Sequence, residues 1–190
     1  MKTGNQSSQR KRNIKCWACI VAGVIAQTII ILLIVLLVLR IRNPKVRLGG
    51  VTVENLKVSS SSSSPSFSMN LNALVTVKNT NFGHYKFKNT TLTISYKGTP
   101  VGEATIIQAR ARARSTKKFN VTISISSNNK VPRNSLSSDI DSGVISLSSH
   151  ATLEGKVHLF KVIKKKKSAE MNCNMDVNTS LKQIQNVKCK

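Results

Sequence analysis

From Phe67 to Val77, apolar side chains occupy every second position: Phe67, Met69, Leu71, Ala73, Val75 and Val77, with polar or small residues mostly between them. Side chains alternate between faces along an extended chain, so this spacing predicts a strand with one face buried. The same phase recurs in Phe119, Val121, Ile123 and Ile125, and again in Met171, Cys173, Met175 and Val177, while Leu92, Ile94 and Tyr96 repeat it on even positions. Residues 51–53, 101–107, 144–147 and 151–163 supply further strand candidates. Seven or eight short strands separated by turns predict an all-β antiparallel sandwich of the immunoglobulin or fibronectin kind. Between them, PRNSLSSDID at 132–141 places Leu136 and Ile140 four apart behind a proline. That spacing predicts one short helix. The serine tract 59–64, closed by Pro65, predicts a solvated hairpin loop, with phosphorylation or O-glycosylation as the alternative use.

Upstream the pattern is continuous instead of alternating. From Cys16 to Leu39 the chain runs for 24 residues without a charge. As a helix this run is about 36 Å long, enough to cross a hydrocarbon core of roughly 30 Å with some tilt. A cleaved signal peptide would carry a shorter apolar run and a small-residue cleavage site, whereas this one leads into Leu39-Arg40-Ile41-Arg42-Asn43-Pro44. The expectation is an uncleaved, single-pass signal anchor. The chain then divides into a basic cytosolic head (1–15), the transmembrane anchor (16–39), a juxtamembrane linker (40–50) and a β domain (51–190).

Lys and Arg are nearly balanced across the span, five before it against Arg40, Arg42, Lys45 and Arg47 after it, so loop charge alone leaves the orientation open. A head too short to fold, followed by a patterned domain, favours a cytosolic N-terminus and an extracellular C-terminal domain. The plasma membrane is the expected residence, with the endoplasmic reticulum membrane as the alternative. Asn89, Asn120 and Asn178 begin N-glycosylation sequons, which permit that orientation without proving it, because so loose a motif also occurs at Asn5 in the head. Cys16 and Cys19, at the cytosolic mouth of the span, are either S-palmitoylation sites or small boundary residues. Cys173 and Cys189 are candidates for a disulfide in an oxidising compartment, the alternative being two free thiols. Ala18, Ala22 and Ala26 form a small-residue face through which spans can self-associate.

At 75–85 the sequence reads VTVKNTNFGHY: a strand, then Asn79-x-Asn81, then Phe82-Gly83 and Tyr85, followed by the alternating LTISYKGTPVGE that opens at Leu92. This order resembles the water-stress and hypersensitive-response domain of the second late embryogenesis abundant group. With the basic head and single anchor it is similar to that group's membrane-bound, harpin-induced-like plant branch. Members commonly carry Asn-Pro-Asn where this chain has Asn79-Thr80-Asn81, so proline's fixed φ is missing, although Asn itself suits a turn. The resemblance implies a small β-sandwich with one short helix, no known catalytic centre, and a role in responses to pathogens, drought or salt.

Composition points the same way on chemistry. His84, His150 and His158 are scattered, no H-E-x-x-H or G-x-S-x-G motif occurs, and seven acids leave little material for a paired-carboxylate site. Asp139-Ile140-Asp141-Ser142-Gly143 begins like a calcium loop but has Gly where a ligand belongs and lacks the closing Glu. Neither an enzyme nor a metal or cofactor is expected.

Charge is what remains. The chain carries 30 Lys and Arg against 7 Asp and Glu, a formal +23; beyond residue 39 the balance is 25 against 7, or +18. The densest runs hold Arg110, Arg112, Arg114, Lys117 and Lys118, and then Lys161 and Lys164, Lys165, Lys166 and Lys167. Nucleic acid is set aside as a partner, because these runs lack aromatic platforms for bases and an external domain rarely meets it. Two readings stay open: an interaction module with unknown protein partners, and a tether holding anionic lipid or acidic wall polysaccharide through basic loops. A solvated surface with no partner is the bland alternative. Arg110, Arg112 and Arg114, alternating with Ala109, Ala111 and Ala113, suit an extended segment with charge along one side.

Overall fold

The computed structural model describes residues 4–61, 64–127, 131–159 and 163–189, with helical side chains described from 17 to 37. It divides into two compact units, 1–41 and 42–190. The first holds helix α1 (Gly4–Leu39), which continues back through much of the basic head. Its stretch Trp17–Leu37 is long and apolar enough to cross a membrane, and every described side chain in it is exposed.

Among its described residues the second unit contains ten strands and one helix. In chain order these are β1 (Lys45–Ser59), β2 (Ser66–Lys78), β3 (His84–Phe87), β4 (Thr90–Tyr96), β5 (Thr99–Ile106), β6 (Ala109–Ala111), β7 (Thr116–Ser126), α2 (Arg133–Asp141), β8 (Val144–Leu159), β9 (Ile163–Asn178) and β10 (Gln183–Cys189). Every pairing is antiparallel, and the strands form one sheet in the order β1-β2-β7-β5-β4-β8-β3-β6. Off that path, β9 runs along the whole of β8 and carries β10 on its other side. The ends curl together, because β1 also packs against β9 and β10.

Alternation in the sequence becomes alternation in burial. In β2 every residue from Phe67 to Val77 on the odd phase is buried, and Ala169, Met171, Cys173, Met175 and Val177 do the same in β9. Leu92, Ile94 and Tyr96 supply β4's contribution to the core, and Val121, Ile123 and Ile125 that of β7. In α2, Leu136 and Ile140 face inward as their spacing predicts. The helix is tied to β4 by the Tyr96 hydroxyl, which donates to Asp139 at 2.7 Å, and by the Lys97–Asp139 ion pair at 3.0 Å.

Four features differ from the sequence expectation. There are ten strands where seven or eight were expected, because β3, β6 and β10 are short or poorly buried and leave little periodic signal. Strand β1 begins inside the stretch 40–50 read as a linker, since Val46 and Leu48 alternate into the core. Residues 144–147 and 151–159 belong to one strand, not two. The pattern read as continuous to Ile163 is split, so that Ile163 opens β9 and Lys164 to Lys167 lie in a strand, not a loop.

Candidate functional site

The segment following β2 is organised by two buried asparagines. Asn79 Nδ2 donates to the carbonyls of Gly83 (2.8 Å), Arg112 (2.9 Å) and Ala111 (3.3 Å). Its Oδ1 accepts from the Asn81 backbone N–H at 3.1 Å and from Asn81 Nδ2 at 3.0 Å. Asn81 in turn grips the backbone of Arg42, donating to its carbonyl at 2.8 Å while accepting from its N–H at 2.6 Å. The Arg114 N–H donates to the Asn81 carbonyl and the Asn79 N–H to the Ser115 carbonyl, both at 2.9 Å. A primary amide carries two donor hydrogens and an acceptor oxygen, which is why Asn serves here where an apolar residue would leave carbonyls buried and unpaired. Close packing completes the turn: a Cβ on Gly83 would lie 2.2 Å from the His158 carbonyl oxygen.

This turn launches β3, and with β3 comes the main electrostatic feature of the domain. In the ladders joining β6, β3, β8 and β9, Arg110 stands opposite Lys86, Lys86 opposite Lys156, and Lys156 opposite Lys166. All four are exposed. They form a basic row crossing four strands, about 15 Å from end to end at the usual inter-strand Cα spacing. A second row runs beside it two residues along, from His84 to His158 to Lys164. The two imidazoles stack with centroids 5.2 Å apart. Both have pKa values below 6.5. Partial burial is the main cause for each; Arg110, His158 and Lys86 add to it at His84, and Lys86, Lys164, Lys156 and Arg110 at His158. Like charges directly opposite one another in a sheet destabilise it by a few tenths of a kcal/mol per pair. The row of four cations is therefore not explained by stability.

Beneath this face, Tyr85 anchors the strands. Its hydroxyl donates toward the carbonyls of Leu153 (2.7 Å) and Lys167 (3.1 Å), and burial above all pushes its pKa up to about 12. Gly155 leaves room for the ring, since a Cβ there would lie 2.6 Å from it. Next to the rows, an open cleft of about 400 Å3 is lined by Lys88, Glu154, Gly155, Lys156, Lys166, Lys167 and Ser168.

The two basic runs read from sequence thus converge in part. Arg110, Lys164 and Lys166 share the face, joined by Lys86, Lys156 and both histidines, which sequence reading missed. Lys165 and Lys167 occupy the alternate phase of β9, and Lys161 lies outside the described residues. Arg112 follows β6 and accepts from Asn79 through its carbonyl. Arg114 leaves the extended line: its φ is 53° and its guanidinium sits 4.8 Å from the Phe82 ring centroid. The expected side-by-side Arg110, Arg112 and Arg114 is therefore broken by the turn. Lys117 and Lys118 lie on β7, paired with β2, away from the row.

Cys173 and Cys189 stand opposite each other in the β9–β10 ladder and are joined by a disulfide. Cys19 is a free, exposed thiol, and the Cys16 side chain lies outside the described residues. Asn120 is exposed on β7 and Asn89 beside β4. Asn89 Oδ1 accepts from the Gln108 N–H at 2.6 Å, whereas Asn178 Oδ1 accepts from the Leu181 N–H at 2.8 Å.

Comparison with known proteins bears on the same segment. A family model described as late embryogenesis abundant protein matches residues 74–175, which is more than half of the chain. The match runs from β2 to β9 and encloses the asparagine turn and the basic face. A late embryogenesis abundant protein of Arabidopsis thaliana, At1g64065, is 28% identical over 155 residues, covering 80% of this chain and 71% of its own. Two solved structures align at low similarity. One is a protein from Archaeoglobus fulgidus (14% identity, TM-score 0.35, covering 67% of this chain and 94% of its own). The other is the solution structure of the late embryogenesis abundant protein At2g46140.1 (12% identity, TM-score 0.32, covering 87% of each chain). At these scores neither structure adds to the fold argument.

Proposed function

Because the chain belongs to the late embryogenesis abundant family, we propose that it is a membrane-anchored, non-enzymatic plant stress-response protein whose β domain binds an acidic surface. The observation that carries this reading is the row Arg110, Lys86, Lys156 and Lys166 across β6, β3, β8 and β9, with Lys164 beside it. Exposed cations gathered on one face at a cost in sheet stability are accounted for by a partner of opposite charge. The membrane half of the reading rests on α1, whose 21 uncharged, mostly apolar residues from Trp17 to Leu37 are all exposed. A hydrocarbon core covers such a surface, and the short basic head suits a cytosolic N-terminus at the plasma membrane. On this reading the domain lies outside the cell, as the membrane-bound branch of the family would have it.

The test is binding of the full chain, held in neutral-lipid nanodiscs, to acidic and neutral polymers over a salt series. Attraction of this kind works by counterion release and is screened over about 10 Å at 0.1 M salt. Affinity for the acidic polymer should fall steeply with salt while the neutral polymer is not retained. Association that survives high salt and requires a protein would favour the interaction-module reading instead.

A further inference from the structure

The cleft beside the basic rows is chemically mixed, and that mixture narrows the partner. Lys88, Lys156 and Lys166 line it on the outward phase, yet Glu154 and Ser168 stand opposite each other in the same lining. Glu154 is exposed, and among the described residues the ion pair within 4 Å is Lys97–Asp139, so the Glu154 carboxylate is left as an acceptor. A site built only to attract anions gains nothing from a carboxylate in its lining, which repels them. It gains from one if the ligand also offers hydroxyl donors, because an O–H donating to a carboxylate is among the stronger hydrogen bonds. At about 400 Å3 the cleft falls within the range of small-ligand sites and has room for a sugar unit. The row Arg110, Lys86, Lys156 and Lys166 leads directly into it, a line of charge suited to a linear chain.

Resting on the acidic-surface reading above, we propose that this cleft and row bind a uronic-acid polysaccharide. Its carboxylates meet Lys86, Lys156 and Lys166, and the hydroxyls of one sugar donate to Glu154. A phosphatidic acid bilayer or a polyphosphate satisfies the lysines but provides no comparable donors for the acid.

The decisive variant is Glu154→Gln, which removes a negative charge from an exposed position and leaves the fold intact, as its unchanged thermal midpoint should show. Full-length protein in neutral nanodiscs is titrated with oligogalacturonate, with polyphosphate and with phosphatidic acid vesicles. The proposal expects Glu154→Gln to bind oligogalacturonate about threefold to tenfold more weakly and polyphosphate and vesicles more tightly. Lys156→Ala with Lys166→Ala should weaken all three. If Glu154→Gln strengthens all three alike, the cleft contributes charge alone and the polysaccharide proposal is overturned, while the acidic-surface reading stands. If the wild-type chain shows no salt-sensitive binding to any of them, both fail.

Discussion

Asn79 has a side chain that does the work of a strand ladder in a place where no strand runs. Its amide pairs with three carbonyls and with Asn81, and Asn81 pairs with both backbone groups of Arg42. Truncating Asn79 leaves buried acceptors unmet, each costing about 1–3 kcal/mol. Asn79→Ala should therefore lower the stability of the domain by about 3 kcal/mol in denaturant titration, and a loss under about 1 kcal/mol would show that water replaces the amide. The sequence made the turn legible through Asn79-x-Asn81 and Phe82-Gly83. It did not reveal that the turn reaches Ala111 and Arg112 or Arg42, since hydrogen bonds across 32 to 39 residues leave no periodic trace. Thr80 standing where proline is common in the family fits this arrangement, because the asparagine amides, not a fixed φ, hold the turn.

At the scale of elements, the long strands were readable because their alternation is strict, and the short ones were not. β3 is four residues long and β6 three, yet these two strands carry Lys86 and Arg110 to the face. The histidine pair exists only because β3 and β8 register His84 against His158. Both imidazoles are surrounded by Lys86 of β3, Arg110 of β6, Lys156 of β8 and Lys164 of β9, and both titrate below 6.5. A base with a lowered folded pKa binds fewer protons in the folded chain than in the unfolded one. The pair's contribution to stability is therefore fully present above pH 6.5 and is lost as the pH falls through that value toward the folded pKa. A polyanion on the face offsets the positive field and draws protons back onto the rings, so binding should tighten between pH 7.5 and about 5. Calorimetry in buffers of different ionisation enthalpy should detect proton uptake on binding, and His84→Gln with His158→Gln should abolish it. Uptake that persists in the double variant would contradict this assignment.

For the molecule as a whole, the sequence gives charge as a total and the fold gives it as a place. An excess of 18 positive charges beyond residue 39 could have been spread evenly. Instead, residues from two runs far apart in the chain share one face across four strands, while Arg114 and the pair Lys117 and Lys118 lie off that row. The apolar run 16–39 was legible by its length and composition, and the structure has there a helix whose stretch Trp17–Leu37 is long and apolar enough to cross a membrane. The family, too, was legible from the order of anchor, turn and strands, although the basic face was not, because register is set by pairing.

The most direct measurement separates position from total charge. Lys86→Gln, Lys156→Gln and Lys166→Gln together are compared with Lys45→Gln, Lys57→Gln and Lys118→Gln, which remove the same charge from β1 and β7. Exposed charge contacts contribute about 0.2–1 kcal/mol each, so losing three from the face should weaken salt-sensitive binding to an acidic polymer by roughly tenfold. The matched variant should stay within about twofold of the wild type, as general screening of net charge allows. Equal weakening by both variants would contradict a localised binding face.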